Sequence, residues 1–185
     1  MKRFWSLLLV LALLASIVVV PVSAETGTDS APTLSFEIGT FTYDEKGMGS
    51  ITLTEAKEKY QENDLVSLAI KITPDSVVRF FRGGTFFVNY DTSVFEPFTA
   101  TSKYGVSAGP AYTTLANWSC EGGKPQDGVV SCAVGSGSGL VPLDPEEGTQ
   151  LIFYFLFKVK QEVESATCEF TFHKDDEAKL VYTET

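Results

Sequence analysis

The chain has 185 residues, with 24 acidic against 14 basic side chains, a formal charge of −10, one histidine and three cysteines. So acidic a chain is not a nucleic-acid binder, because neutralising phosphates takes a Lys/Arg surface, and the same charge disfavours anionic membranes. A single histidine leaves a Ser-His-Asp triad or a histidine-based metal site without identifiable partners.

Lys2 and Arg3 open the chain, Phe4 to Val20 is almost wholly apolar, and Val22-Ser23-Ala24 supplies a small-residue cleavage pattern just after Pro21. This is the layout of a secretory signal peptide over residues 1–24, with the cut after Ala24. The alternative is an uncleaved anchor, since the apolar run approaches the ~20 residues that span a bilayer. No cysteine follows the run to carry a lipid anchor. A mature chain from Glu25 to Thr185 would be extracellular, free of the membrane, and charged −12 once Lys2 and Arg3 are gone. Its length fits one domain with a real core.

Residues 25–33 read as a flexible leader, and the predicted domain spans 34–185. Leu34, Phe36 and Ile38 alternate with Ser35 and Glu37, the period of a half-buried strand. Phe41 and Tyr43 extend that strand or open the next. Gly47-Met48-Gly49 marks a turn. Thr54 to Tyr60, rich in Glu and Lys, predicts the one short helix, capped by Thr54. Val66, Leu68, Ile70 and Ile72 form an alternating strand that Pro74-Asp75-Ser76 ends. Thr85 to Tyr90 is a second strong strand, introduced by Gly83-Gly84. Ala116 to Cys120 and Val129 to Val134 read as a hairpin pair around the turn-rich stretch 122–128. Turns follow at 135–139 and 142–148. Leu151 to Lys160 is the strongest strand, and Cys168 to Phe172 and Leu180 to Tyr182 close the domain. Many short strands without βαβ alternation predict an all-β sandwich or jelly roll.

In an oxidising compartment one disulfide is open to the three cysteines. Cys120 and Cys132 could face each other across the hairpin, although spacing alone does not set the separation a disulfide demands. Cys168, among Thr167, Phe170 and Phe172, reads as a buried strand residue. His173 reads as a solvated strand end beside Lys174-Asp175-Asp176. Asp175-Asp176-Glu177 lacks the spacing and glycine of a calcium loop, and no carboxylate sits in a motif that would mark a glycosidase pair. Asn117-Trp118-Ser119 matches the glycosylation acceptor pattern, which means nothing in a bacterial source. No catalytic residue, metal site or cofactor is predicted.

The sharpest clue is Leu151 to Phe157, apolar on both faces where a strand with one wet face should alternate. With Phe153, Phe155, Phe157 and Val159 in the core, Tyr154 and Leu156 point outward. With Phe86, Val88 and Tyr90 inside, Thr85, Phe87 and Asn89 point outward. If the two strands share a sheet, their outward apolar groups form one patch of the kind that marks a partner surface. The alternative is that the N-terminal insertion, with its 54–60 helix, folds over that face.

Gly84 to Glu96, with Tyr90-Asp91, Val94-Phe95 and Glu96, resembles the cohesin signature. Asp127 to Ala133 followed by Gly135-Ser136-Gly137-Ser138-Gly139 is similar to that family's Gly-led strand and Ser-Gly-x-Gly turn. Gly148 to Lys160, closing on Val159-Lys160, looks like its penultimate strand. The resemblance spans about residues 64–185. It departs from the family in the long 44–62 insertion and the Phe-rich 151–157 strand. It implies a nine-stranded jelly-roll sandwich that is not an enzyme and binds a dockerin-bearing protein in an extracellular polysaccharide-degrading assembly. It also implies a partner-binding face of Thr85, Phe87, Asn89, Ser131, Val134, Gly137, Tyr154 and Leu156, with any calcium held by the partner. A carbohydrate-binding module on the same scaffold is the alternative, with polysaccharide as ligand. Its exposed aromatics would come from Trp118, Tyr104, Tyr112 and Tyr154, although Trp118, beside Cys120, reads as structural.

Overall fold

The computed structural model describes residues 19–21, 32–43, 51–101, 107–137, 139–173 and 178–184. The strands run in chain order β1 (Val19–Pro21), β2 (Thr33–Tyr43), β3 (Ile51–Glu55), β4 (Lys59–Tyr60), β5 (Leu65–Thr73), β6 (Arg79–Tyr90), β7 (Phe95–Pro97), β8 (Ala100–Thr101) and β9 (Ser107–Ala108). They continue as β10 (Ala111–Tyr112), β11 (Ser119–Gln126), β12 (Val129–Gly135), β13 (Val141–Leu143), β14 (Gln150–Val159), β15 (Val163–Glu164), β16 (Phe170–Phe172) and β17 (Ala178–Glu184). Single 3-10 turns lie at Pro145–Glu147 and Ser165–Thr167.

Two antiparallel sheets make the body of the fold. The first has the order β1-β2-β5-β14-β10, with β3 on β2 and β7 on β14. The second has the order β11-β12-β6-β13, with β16 and β17 also on β6. Their inner faces interlock as the alternation predicts. Leu68, Ile70, Phe153, Phe155 and Phe157 from the first sheet meet Phe86, Val88, Val130 and Cys132 from the second in one buried cluster. Phe86 tilts against Phe153 at 4.9 Å and Tyr90 against Phe157 at 5.2 Å. The chain is an all-β sandwich.

Two irregularities set which side chains face out. In β14 the register slips between Leu151 and Phe153, so Ile152 and Phe153 are both buried. In β6 the pairing with β17 slips between Val181 and Tyr182. Phe81 is thereby inside and stacked on Trp118 at 5.3 Å, while Arg82 and Gly83 both line the outer surface. Bulges of this kind re-aim side chains at the cost of one unpaired residue.

The expected helix at 54–60 is not formed. Thr54 and Glu55 belong to β3, which pairs with Gly39 to Tyr43 of β2, and Tyr60 lies in β4 opposite Val163. The local propensity of Glu and Lys was outweighed by tertiary pairing: Ile51 and Leu53 alternate beside an open edge of β2, and Tyr60 is fully buried. Among the described residues there is no α-helix. The stretch 122–126 is likewise strand rather than turn. β11 runs through it with a bulge between Gly123 and Gln126, and the reversal is confined to Asp127-Gly128, with Gly128 at φ 75°. Cys168 is not in a strand. It follows the second 3-10 turn half-buried, and burial pushes its thiol up to about 11.

Most of the expected leader lies outside the described residues. Val19–Pro21 pairs with Thr33 to Ser35, a contact only the uncut chain can make. No described helix is long and apolar enough to cross a membrane. Tyr104 and the Asp175-Asp176-Glu177 run also lie outside the described residues.

Candidate functional site: the outer face of the second sheet

The predicted site residues do not share one surface. Thr85, Phe87, Asn89, Ser131, Val134 and Gly137 belong to the second sheet and the turn after β12, whereas Tyr154 and Leu156 belong to β14 of the first. The core separates the two groups, so the single merged patch is excluded.

On the first sheet the outward face is largely closed. Leu156, expected outside and wet, is 0% exposed. Its register neighbours are Ser67 and, one strand further, Gly39, and both are buried. On the same face Phe41 is buried and packs edge-on against Phe98 at 5.4 Å, while Tyr43 meets Phe98 at 6.0 Å. The residues after β7 and the N-terminal β2–β3 ribbon thus build an apolar cluster on the face where Leu156 is buried, and the Phe98 N–H donates to the Leu156 carbonyl at 2.9 Å. Only the other end stays partly open. There Tyr154 pairs in register with Tyr112, and both are half-buried. Burial, and after it the charge of Glu37, pushes the Tyr154 hydroxyl up.

On the second sheet the outward face is open. β12 lies antiparallel to β6 and places Ser131 opposite Phe87 and Ala133 opposite Thr85. β11 extends these rows with Gly123 and Glu121. Thr85, Phe87, Asn89 and Ser131 are half-buried, Ala133 and Glu121 exposed. Val134 corrects the prediction. It is 4% exposed and sits in the core with Val130 and Cys132, because residues 131 and 134, three apart on a regular strand, cannot face the same way.

Beyond Thr85 the face deepens into an open groove of about 800 Å³, lined by Arg82, Gly83, Gly84, Thr85, Ser119, Glu121, Ala133, Val134, Gly135, Ser136, Gly137 and Val181. Gly83 makes the groove floor: a Cβ there would lie 2.6 Å from the Val134 carbonyl oxygen, so only glycine lets the two strands approach. Val181 is 54% exposed at the rim. Gly137 is exposed, as expected for a loop that contributes surface.

Polar groups hold the other end of the face. The Asn89 Nδ2 donates to Thr171 Oγ1 at 3.0 Å, and His173 Nδ1 donates to Asn89 Oδ1 at 2.7 Å. His173 N–H also donates to the Phe87 carbonyl at 2.9 Å. The histidine is therefore half-buried and bonded beside the face rather than solvated. Sequence reasoning missed His173, Thr171, Glu121 and Ala133, because their place depends on strands far apart in the chain lying beside β6. Alternation along β12 could have given Ala133.

Trp118, stacked on Phe81 with planes 13° apart, is part of the packing and not of an exposed aromatic row. Among the described residues no cluster of His, Cys, Asp and Glu could hold a metal ion.

No family model and no curated protein matches the sequence. Solved structures do. The chain resembles a type II cohesin–X-dockerin complex of Acetivibrio cellulolyticus at 16% identity and a TM-score of 0.42, over 74% of this chain and 77% of that one. It resembles a type II cohesin domain from the cellulosome of the same organism at 18% identity and a TM-score of 0.40, over 75% of each chain. A type II cohesin module of an adaptor scaffoldin follows at 16% identity and a TM-score of 0.38, over 75% of this chain and 76% of that one.

Proposed function

We propose that the chain is an exported, non-catalytic docking module that recognises a dockerin-type protein through the outer face of the second sheet, as part of an extracellular polysaccharide-degrading assembly. One observation carries the reading. Two of the three sequence blocks that resemble cohesins, 84–96 and 127–139, fold into neighbouring antiparallel strands and the turn after them. Together they make the open face, while the third block's outward residue Leu156 is sealed away. The interaction surface is therefore Thr85, Phe87, Asn89, Ser131 and Gly137, joined by Ala133 and Glu121. Phe87 supplies the apolar centre, and the bonded Asn89–His173 pair supplies a fixed polar margin, the arrangement of protein interfaces with a central anchor. Calorimetric titration with a purified calcium-loaded dockerin is the test. Saturable binding that Phe87→Ala weakens and Tyr154→Ala leaves alone supports the reading. Equal binding by wild type and Phe87→Ala removes this face.

The Tyr112–Tyr154 pair favours a second reading, glycan binding, on the other sheet. Two half-buried tyrosines side by side with Glu37 nearby offer a small stacking platform. Retention on an insoluble polysaccharide, lost in Tyr154→Ala and kept in Phe87→Ala, would assign that surface to sugar.

A further inference from the structure

We infer that Cys120 and Cys132 form a disulfide that clamps the edge strand β11 to β12, leaving Cys168 as the free thiol. The inference stands on pairing geometry and does not depend on the docking reading. Cys120 lies opposite Val134 and Cys132 opposite Gly122, so the two cysteines are diagonal neighbours on the inner side of the hairpin. Opposite Cys132, Gly122 lets Pro110 and Ala111 press close, since a Cβ there would lie 2.8 Å from the Ala111 nitrogen. The two sulfurs lie 2.8 Å apart, within about 0.8 Å of the covalent distance. The hairpin needs such a clamp: β11 is the outermost strand of its sheet, its ladder is interrupted by the bulge after Gly123, and five of its eight residues are exposed.

The chemistry is ordinary thiol–disulfide exchange with a small-molecule disulfide or the disulfide of a thiol oxidase outside the cytosol. Cys120 is half-buried and Cys132 fully buried, so Cys120 meets the oxidant. Its thiol loses a proton and attacks one sulfur of the oxidant; the S–S bond breaks and one thiolate leaves. Cys132 then loses its proton and attacks Cys120 Sγ of the mixed disulfide, expelling the second thiolate. Two cysteine thiols are oxidised by two electrons and the oxidant disulfide is reduced to two thiols. The bond Cys120 with Cys168 is not competitive, since Cys168 sits half-buried in another part of the fold, its Sγ facing the Glu164 carbonyl at 3.6 Å.

The test equilibrates the full-length chain with oxidised and reduced glutathione, then alkylates it under denaturing conditions. The expected result is one alkylated thiol, Cys168, a mass roughly 2 Da below that of the reduced chain once this single adduct is subtracted, and a proteolytic fragment joining Cys120 to Cys132. Cys168→Ser should keep the bond, and Cys120→Ser should abolish it. Reduction should lower the melting temperature of the wild type by roughly 5–10 °C and leave that of Cys120→Ser unmoved. Three alkylated thiols in the oxidised sample, or any link through Cys168, would overturn the assignment.

Discussion

The two outer sheet faces of this sandwich begin from the same alternation and end differently. On β14 the outward Leu156 is fully buried, on the face where Phe41, Tyr43 and Phe98 form an aromatic cluster and beside the backbone of Phe98 and Pro110. On β6 the outward Phe87 stands, among the described residues, beside Ser131 and the polar Asn89–His173 pair. An apolar residue that points out of a sandwich is therefore not by itself a binding residue. What decides is whether other parts of the chain cross its face. The difference has a second consequence. The first sheet gains stability from its apolar cluster, whereas the open sheet must be secured from within. The Arg79 guanidinium, 2.9 Å from Asp75 with side chains 4% and 1% exposed, ties the start of β6 to the preceding turn. Asp75 also accepts the Val77 N–H at 3.1 Å.

The largest effect should come from that internal fastening. Arg79→Met removes a buried charge and strands the Asp75 carboxylate, which should cost about 3–5 kcal/mol of unfolding free energy in urea titration. Pairing it with Asp75→Asn should return part of the loss. A cost near zero would mean that the open sheet is not held at this end.

Leu156→Ala comes next. The site is fully sealed, so the truncation should cost about 2–4 kcal/mol of stability from lost transfer and the remaining cavity, with no effect on partner affinity beyond unfolding. A variant of native stability would show that face to be loosely packed, and the comparison of the two faces would lose its basis.

Phe87→Ala should reverse that pattern: about 1–3 kcal/mol of lost affinity for the docked partner and about 1 kcal/mol or less of stability, because the ring is only half-buried. Leu156 and Phe87 are thus a matched pair of probes. A Phe87 variant that loses mainly stability would make the open face an ordinary part of the fold.

Strand alternation in the sequence was enough to give the all-β class, the inward sets Phe86/Val88/Tyr90 and Phe153/Phe155/Phe157, and the outward set Thr85/Phe87/Asn89. Period-2 patterning is a local property that packing rarely overrides. Sheet membership was not legible. Nothing local states that β14 pairs with β5 while β6 pairs with β12, so the alternation alone leaves open whether Leu156 and Phe87 share a face. The helix expected at 54–60 failed for the same reason, since an edge of β2 recruited Thr54 and Glu55 into pairing. Val134 failed at a simpler level, where its own parity with Val130 and Cys132 would have placed it inside.

The smallest expected effect separates the two faces by pH. Burial alone would push the Asp75 carboxyl up, but hydrogen bonds from Arg79 and the Val77 N–H, with the Arg79 charge, outweigh it and hold the group below its ordinary value. Asp91, at the exit from β6, is also held down by the Ser93 hydroxyl and N–H. A carboxyl lowered in the folded state contributes stability above its unfolded pKa, and that contribution drains away as pH falls through the folded value. The fastening of the open sheet is therefore acid-labile, while the cluster on the face of Leu156 is apolar and its nearby ion pairs, Lys71 with Glu37 and Lys158 with Glu96, are exposed and weak. Amide hydrogen exchange followed downward from neutral pH should show the turn at 75–78 and the start of β6 losing protection before β5 and the middle of β14. In Asp75→Asn that early loss should vanish, because no carboxylate remains there to protonate. Parallel loosening of both sheets in the wild type would mean that the two faces share one mode of support.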